Sequence, residues 1–392
     1  MTWLPLGDDD PFDAWTLPYG VFSVAGASPR VGVAVGSWVL DLTPLAGAEL
    51  FDHPTLNPFL AAGRPVWDAV RARLLELVTD PRHRDLVEPH LVPAADVRLG
   101  LPFDVADYVD FYASQTHAEN VGRLFRPDNP ALPAAWRQLP IGYHGRAGTV
   151  VVSGTPVVRP SGLRRAGDAV EFGPSLRLDI EAEAGFVVGT PSALGSRVPV
   201  GAFEDHVFGM VLVNDWSARD IQAFEYVPLG PFLGKSFATS ASPWVVPLAA
   251  LAHARVAPPL RSPAVAPYLR DAEPWGLDVS FSVSWNGTVV SRPPLRSLYW
   301  TPAQMLAHMT VNGASVRTGD LYASGTVSGV RPDCGSFLEL TWNGTEPVTL
   351  ADGSTRAFLE DGDTVTIRAT APGPDGSRQR LGAVTGTVHP SP

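Results

Sequence analysis

Apolar and polar positions alternate over short stretches along most of the chain, and the pattern changes character near position 103. In residues 1–102 the stretches VFSVAG, VGVAV and WVLDL read as short strands, with Gly36 and Ser37 as a turn between the last two. A helical spacing follows over 65–77, where Trp67, Val70, Leu74 and Leu77 fall on one face. Residues 89–102 carry three prolines and read as a linker. This first unit holds no cluster of chemical groups, so a structural or dimer-supporting role is expected for it.

From 103 onward strand-like pieces recur: TVVVSG, SLRLDIEAEAGFVVG, VFGMVLVN, LDVSFSVSWNGTVVS, SFLELTWNG and DTVTIRAT. Asn286-Gly287 and Asn343-Gly344 each sit between such pieces and predict hairpins. One helix interrupts them. Thr301 stands as its N-cap, Pro302 at the first helical position, Gln304 at the third and Asn312-Gly313 at its end. The pattern predicts a mainly β (α+β) chain, with a sandwich or roll over 103–392.

The stretch 207–246 carries the densest information. Residues 207–213 are an unbroken apolar run, as expected of a strand buried on both faces, and it stops at Asn214 and Asp215. Ser217 with Asp220 reads as a capping box opening a short helix that carries Arg219 and Gln222. A Pro/Gly-rich loop then delivers Lys235, the one lysine among 29 basic residues. An ammonium is a compact point charge where a guanidinium is a wide planar fork. Lys235 therefore marks either a tight site that admits only the ammonium or the chance survival of one surface lysine.

Composition narrows the function classes. The 392 residues are 45 % hydrophobic and 18 % charged, as in a soluble globular protein with room for two domains. No apolar run approaches the roughly 20 residues of a membrane helix, and the acidic start MTWLPLGDDD has no signal-peptide pattern. The net charge of -11, without a Lys/Arg cluster, argues against nucleic acid and anionic membranes as partners. A single cysteine, Cys334, excludes an internal disulfide and suits a cytoplasmic setting.

Candidate chemistry lies in carboxylates and one histidine. Glu181 and Glu183 share a strand face with Asp179. Such a row is either a solvated face or the wall of a cation site, because like charges repel unless water or a cation separates them. Asp215 ends the buried run, and Asp110 lies among aromatics in DYVDFYASQTHAEN. Oxygen-only ligands of this kind suit Mg²⁺ or Ca²⁺ rather than zinc. His117, in the same segment as Asp110, is the best candidate base among nine histidines, although a lone histidine also serves structure. Glu339 is a charge inside an apolar strand pattern, and a histidine would make it a suitable partner. Tyr143 in LPIGYHGRAG and Thr326 in LYASGTVSG are hydroxyls on glycine-bounded loops. There is no P-loop, dinucleotide fingerprint, GxSxG elbow or CxxC pair.

The segments DFYASQTHAENVGRLFR, LPIGYHGRAGTVVVSGTPVVRP, LDIEAEAGFVVG, VLVNDWSARDIQAFEYVPLGPFLGKSF, ASGTVSG and GSFLEL, in that order, resemble the fumarylacetoacetase family. The resemblance implies a small SH3-like β-barrel over 1–102 and a catalytic β-sandwich roll over 103–392. It implies a homodimeric hydrolase that cleaves 4-fumarylacetoacetate, a β-diketo acid, to fumarate and acetoacetate at the end of tyrosine and phenylalanine breakdown. Asp110, Glu181, Glu183 and Asp215 would hold Ca²⁺ or Mg²⁺, with Lys235 and Thr239 bordering a second ion site. His117, oriented by Glu339, would activate water. Arg219, Gln222 and Lys235 would surround the oxyanion. Tyr112, Arg126, Tyr143, Gln222, Tyr226 and Thr326 would hold the substrate. The alternative within the superfamily is a related acylpyruvate hydrolase or decarboxylase, and outside it a non-catalytic Ca²⁺-binding β module.

Overall fold

The computed structural model describes residues 2–7 and 10–392. In chain order the elements that position the site are β1 (Tyr19–Ser23), β2 (Arg30–Val35), β3 (Trp38–Asp41), α1 (Arg64–Thr79), β4 (Leu91–Pro93), β5 (Tyr108–Phe111), α2 (Gln115–Phe125) and β6 (Gly142–His144). They continue with β7 (Ser161–Ala166), β8 (Ala169–Pro174), β9 (Ala182–Val188), β10 (Val207–Asp215), α3 (Arg219–Glu225), β11 (Thr239–Ala241) and β12 (Trp244–Pro247). The last are β13 (Ser280–Trp285), β14 (Thr288–Ser291), α4 (Pro302–Thr310), β15 (Leu321–Ala323), α5 (Phe337–Leu340), β16 (Thr364–Pro372) and β17 (Arg378–His389).

The unbroken apolar run is β10, and every residue of it is buried. The reason is its place in the middle of a 13-stranded sheet, along the path β4-β3-β2-β1-β12-β10-β9-β15-β5-β6. Met210 and Leu212 face a core shared with a second sheet, β14-β13-β16-β17, through Phe281, Val283, Ile367 and Val384. Val211 and Val213 face the opposite core, made with Tyr19, Phe59, Trp67 and Leu74 of the first hundred residues. A strand covered on both faces has no polar side to present, so its sequence cannot alternate. Gly386 in β17 admits Trp216 next to β10, since a Cβ there would lie 2.5 Å from the indole.

The mainly β reading is the observed class. The predicted helix over 65–77 is α1, with Trp67, Leu74 and Leu77 buried. The capping box at Thr301 and Gln304 is present at α4. Asn286 and Gly287, both at positive φ, turn β13 into β14. The strands of the first unit run on into the shared sheet through Tyr19↔Val245 and Gly20↔Trp244. No pairing among the described residues closes them into a barrel.

Three local expectations are corrected. SFLELTWNG is not a strand: Ser336 caps it and residues 337–340 form α5. Asn343-Gly344 is accordingly not a hairpin but part of a left-handed turn leaving that helix, with Trp342, Asn343 and Gly344 all at positive φ. Ser217 is not an N-cap: its hydroxyl donates to the Asp215 carbonyl, α3 opens at Arg219, and Asp220 accepts from Ser175 and from the Leu176 amide.

Burial on both faces sets the expected cost of disturbing the central strand. Leu212→Ala should lower unfolding free energy by about 2–5 kcal/mol, whereas Val289→Ala on the exposed edge strand β14 should stay within about 0.5 kcal/mol. Urea denaturation of both variants checks the contrast, and equal losses would contradict the two-sided core.

Candidate active site

Strand register brings the carboxylates together. Asp215 ends β10, and its amide donates to the Glu181 carbonyl at 3.1 Å, just where the chain enters β9. Thr239 of β11 pairs with Asp215, and its hydroxyl donates to Asp215 Oδ1 at 3.0 Å. Asp110 comes from β5, paired with Ala323 of β15 on one side and Tyr143 of β6 on the other. Asp110, Glu181 and Asp215 are buried and each offers an oxygen within 4.8 Å of the others. Glu183 is also fully buried, and neither of its oxygens has a hydrogen-bond partner among the described residues. Burial first, and then the charges of Asp110, Asp215 and Glu181, push its carboxyl well above the usual range. Burial likewise raises Asp110 to about 6, against the pull of Arg146 and Lys235.

Asp179 does not join this cluster. Its carboxylate accepts from the amides of Phe337 and Leu338 at the start of α5 and from Arg219 Nε at 2.8 Å. Arg219 also donates from Nη1 to Glu181 and to Gln222, at 2.8 and 3.1 Å. Lys235 is 2 % exposed, and its ammonium lies 2.7 Å from Glu181 and 3.1 Å from Asp215. Burial opposes its charge, but Asp215 and Glu181 outweigh that and raise its pKa. Two of its three donors are spent there, which leaves one for the cavity. The loop that delivers it is clamped to α3 by Glu225, whose carboxylate accepts from the amides of Phe232 and Gly234, both at 2.7 Å. A Cβ on Gly234 would lie 2.9 Å from Gln222, so only glycine allows this approach.

One cation was missed in the sequence. Arg146, at φ 62°, sends its guanidinium into the cluster and donates to Asp110 Oδ2 and to the Tyr143 hydroxyl, both at 2.9 Å, and to Asp215 Oδ2. In a chain that writes arginine for nearly every positive charge, this one carries no distinguishing signal. Five buried carboxylates, Asp110, Asp179, Glu181, Glu183 and Asp215, thus meet three buried cations, Arg146, Arg219 and Lys235. With all five ionised, as a bound cation would hold them, five negatives less three positives leave two, the charge of one divalent ion. The orphaned Glu183 and the all-oxygen donor set both fit such an ion.

A cavity of about 310 Å³ opens against this centre. Asp110, Tyr112, His117, Arg126, Tyr143, Glu181, Arg219, Gln222, Tyr226, Lys235 and Thr326 line it, together with apolar Val121, Phe125, Pro133, Ile141 and Pro231. Glu183, Asp215, Thr239 and Glu339 stand behind the wall. His117 is the third residue of α2, whose N-cap Ser114 accepts from the His117 amide. Its Nδ1 donates to Glu339 Oε2 at 2.7 Å, across 222 residues of sequence, which leaves Nε2 as the basic nitrogen. Glu339 also accepts from Asn120, Ser328 and Ser336 at 3.0, 2.8 and 2.8 Å. Burial would raise its carboxyl, but the His117 imidazole and these donors hold it below the usual range. Asn120, one turn beyond His117 on α2, was the available signal for this network.

The substrate-side groups differ in freedom. Arg126 has only a 3.5 Å contact to the Ala131 carbonyl and no carboxylate partner among the described residues. Gly122 brings that loop close, since a Cβ there would lie 1.9 Å from the Ala131 oxygen. The Thr326 hydroxyl is buried without a hydrogen-bond partner among the described residues. The Tyr143 hydroxyl is committed: it donates to Asp110 at 3.0 Å and accepts from Arg146.

Comparison with known proteins places the chain. Residues 16–102 match the family model for the fumarylacetoacetase N-terminal region, and residues 107–389 match the model for the fumarylacetoacetate hydrolase C-terminal region. The chain is 44 % identical to human fumarylacetoacetase over 416 aligned residues, covering 100 % of this chain and 99 % of that protein. It is 43 % identical to the Arabidopsis thaliana fumarylacetoacetase, with the same coverage. Among solved structures, a fumarylacetoacetate hydrolase from Exiguobacterium antarcticum superposes with TM-score 0.57 at 18 % identity, over 95 % of this chain and 99 % of that one. A 5-carboxymethyl-2-hydroxymuconate delta-isomerase from Mycobacterium smegmatis gives 0.54 at 16 %, over 96 % and 100 %. At these identities the two structures speak for the fold alone.

The orphaned carboxylate generates an expectation of opposite signs. Glu183→Gln should raise the Tm measured in chelator at alkaline pH, because ionising a buried carboxyl that has no partner among the described residues costs stability there and the amide carries no charge. The same change should reduce the Tm gain on adding Ca²⁺. A variant less stable in chelator and equally stabilised by Ca²⁺ would refute the role of Glu183 in this centre.

Proposed function

The chain belongs to the fumarylacetoacetase family, and from that membership we propose how its cavity performs the family's reaction. The protein is a hydrolase of fumarylacetoacetate. The observation that carries the mechanism is the placement of a buried His–Glu pair and a buried acidic centre on the walls of one cavity.

In this reading His117 takes a proton from water, and Glu339 holds the imidazole in the tautomer that leaves Nε2 basic. The water oxygen adds to the carbonyl carbon of the fumaryl group, the one bonded to the methylene between the two ketones. Lys235, with Arg219 and Gln222 beside it, faces the oxyanion that forms. The carbon–carbon bond then breaks and its electron pair passes to the methylene as an enolate. The enolate takes up the proton held by His117, giving acetoacetate, while the acyl part leaves as fumarate. Asp110, Glu181, Glu183 and Asp215 would hold a divalent ion, Ca²⁺ or Mg²⁺. When bound, that ion supplies Lewis-acid polarisation of the dicarbonyl oxygens. Thr239 and Lys235 are proposed as the border of a second ion site beside Asp215.

Arg126, which has no carboxylate partner among the described residues, is the cation placed to take a substrate carboxylate, with Tyr112, Tyr226 and Thr326 shaping the cavity around it. Tyr143 reaches the substrate only by giving up its bond to Asp110, so it is proposed to couple substrate binding to the acidic centre. The division into units 1–102 and 103–392 is proposed on the two family models that meet there. No helix of the described residues is long and apolar enough to cross a membrane. A cytoplasmic setting within tyrosine and phenylalanine breakdown fits a chain whose one cysteine is buried and free. A homodimer is proposed because the hairpin β7–β8 exposes Leu163, Val170 and Phe172, the last at 76 %, and the loop before Lys235 exposes Leu229 and Phe232. A sedimentation mass of one chain would oppose it.

Purified protein should consume fumarylacetoacetate and lose that activity in chelator; turnover of acylpyruvates alone would overturn the substrate. His117→Ala and Glu339→Gln should each lower kcat by about 10²–10⁴-fold, and the double variant should fall little below the worse single one. Strictly multiplicative losses would separate the pair. Lys235→Arg should lower kcat by about 10²-fold with metal retained, and a loss of only a few-fold would mean that charge alone suffices.

A further inference from the structure

Arg146 is the one cation of the acidic centre that plays no part in the cavity. Arg219 and Lys235 both line the cavity, whereas Arg146 does not. Its guanidinium lies between the rings of Tyr108 and Tyr143, 5.0 and 5.1 Å from their centroids. It donates to one oxygen each of Asp110 and Asp215 and to the hydroxyl of Tyr143. Its side chain is 6 % exposed, so it has no solvent-filled space into which to withdraw. A residue held this way cannot greet substrate or swing aside when an ion arrives.

We infer that Arg146 is a fixed internal counter-ion that sets the charge of the metal the centre accepts. This rests on the reading of the centre as a metal site. With Arg146 in place the five carboxylates, ionised as a bound cation would hold them, exceed the cations by two, which matches a divalent ion. Without it the excess is three, which matches a trivalent one. The affinity of an oxygen-ligand site follows the charge of its ligand set as well as its rigidity. Arg146 acts through Asp110 and Asp215 and is a positioning residue, not a catalytic one.

The test measures dissociation constants of the full-length protein for Ca²⁺ and for Tb³⁺, an ion of similar size and one more charge, by titration calorimetry. Relative to the parent, Arg146→Gln should raise the preference for Tb³⁺ over Ca²⁺ by at least about tenfold, since one more uncompensated charge acts on the extra charge of the ion. Arg146→Lys should stay near the parent ratio. A purely structural role would weaken both ions alike and leave the ratio unchanged, and that result overturns the inference. Should Arg146→Gln fail to fold, Arg146→Lys carries the test alone, since it keeps the charge and alters no ligand of the ion. A departure of tenfold or more from the parent ratio in that variant also overturns the inference. A parent protein that binds neither ion would instead remove the metal reading itself, and with it this proposal.

Discussion

The balance of charge in one dry corner of the sheet is the constraint on which the rest depends. Asp110, Glu183 and Asp215 are carried by strands whose residues are all buried, and Glu181 is buried where the chain enters β9, so little water can separate their charges. Isolated ionised carboxylates are too costly to bury. Arg146, Arg219 and Lys235 answer most of that charge and leave a remainder of two, centred on a Glu183 that has no partner among the described residues. An opening for a divalent ion is therefore a consequence of electrostatics as much as of geometry.

The fold supplies the rigidity this balance needs. The central sheet is packed on one side by the second sheet and on the other by the first hundred residues, so β9 and β10 cannot relax away from one another. Glycines make the close approaches: Gly122 brings the Arg126 loop onto α2, and Gly234 presses the Lys235 loop onto α3. Asp179 performs a similar service from behind the site. It fixes Arg219 with one oxygen and the start of α5 with both, and α5 carries Glu339 to His117.

Much of this was legible in the residues, and what was not has physical reasons. The two-sided burial of β10 was readable because it abolishes alternation. The α4 capping box was readable because caps are local. Glu339 was readable as a charge needing a partner, but not as helical: Ser336 and the Asp179 carboxylate, 157 positions away in sequence, together set the start of α5. Asp179 was read onto one strand face with Glu181 and Glu183 because alternation was assumed to continue, whereas the strand breaks between 179 and 182. Arg146 was invisible for a compositional reason, since arginine fills 28 of the 29 basic positions. Lys235 was conspicuous for the same reason.

The most direct test of the account is where a metal sits. A crystal of the protein grown with Mn²⁺ or Ca²⁺ and measured for anomalous scattering should show one strong peak among Asp110, Glu181, Glu183 and Asp215. Carboxylate oxygens from all four should coordinate it at about 2.0–2.6 Å, and Arg146 should still lie between Tyr108 and Tyr143. A peak elsewhere, or a saturated crystal with Glu183 still unpaired, would contradict it.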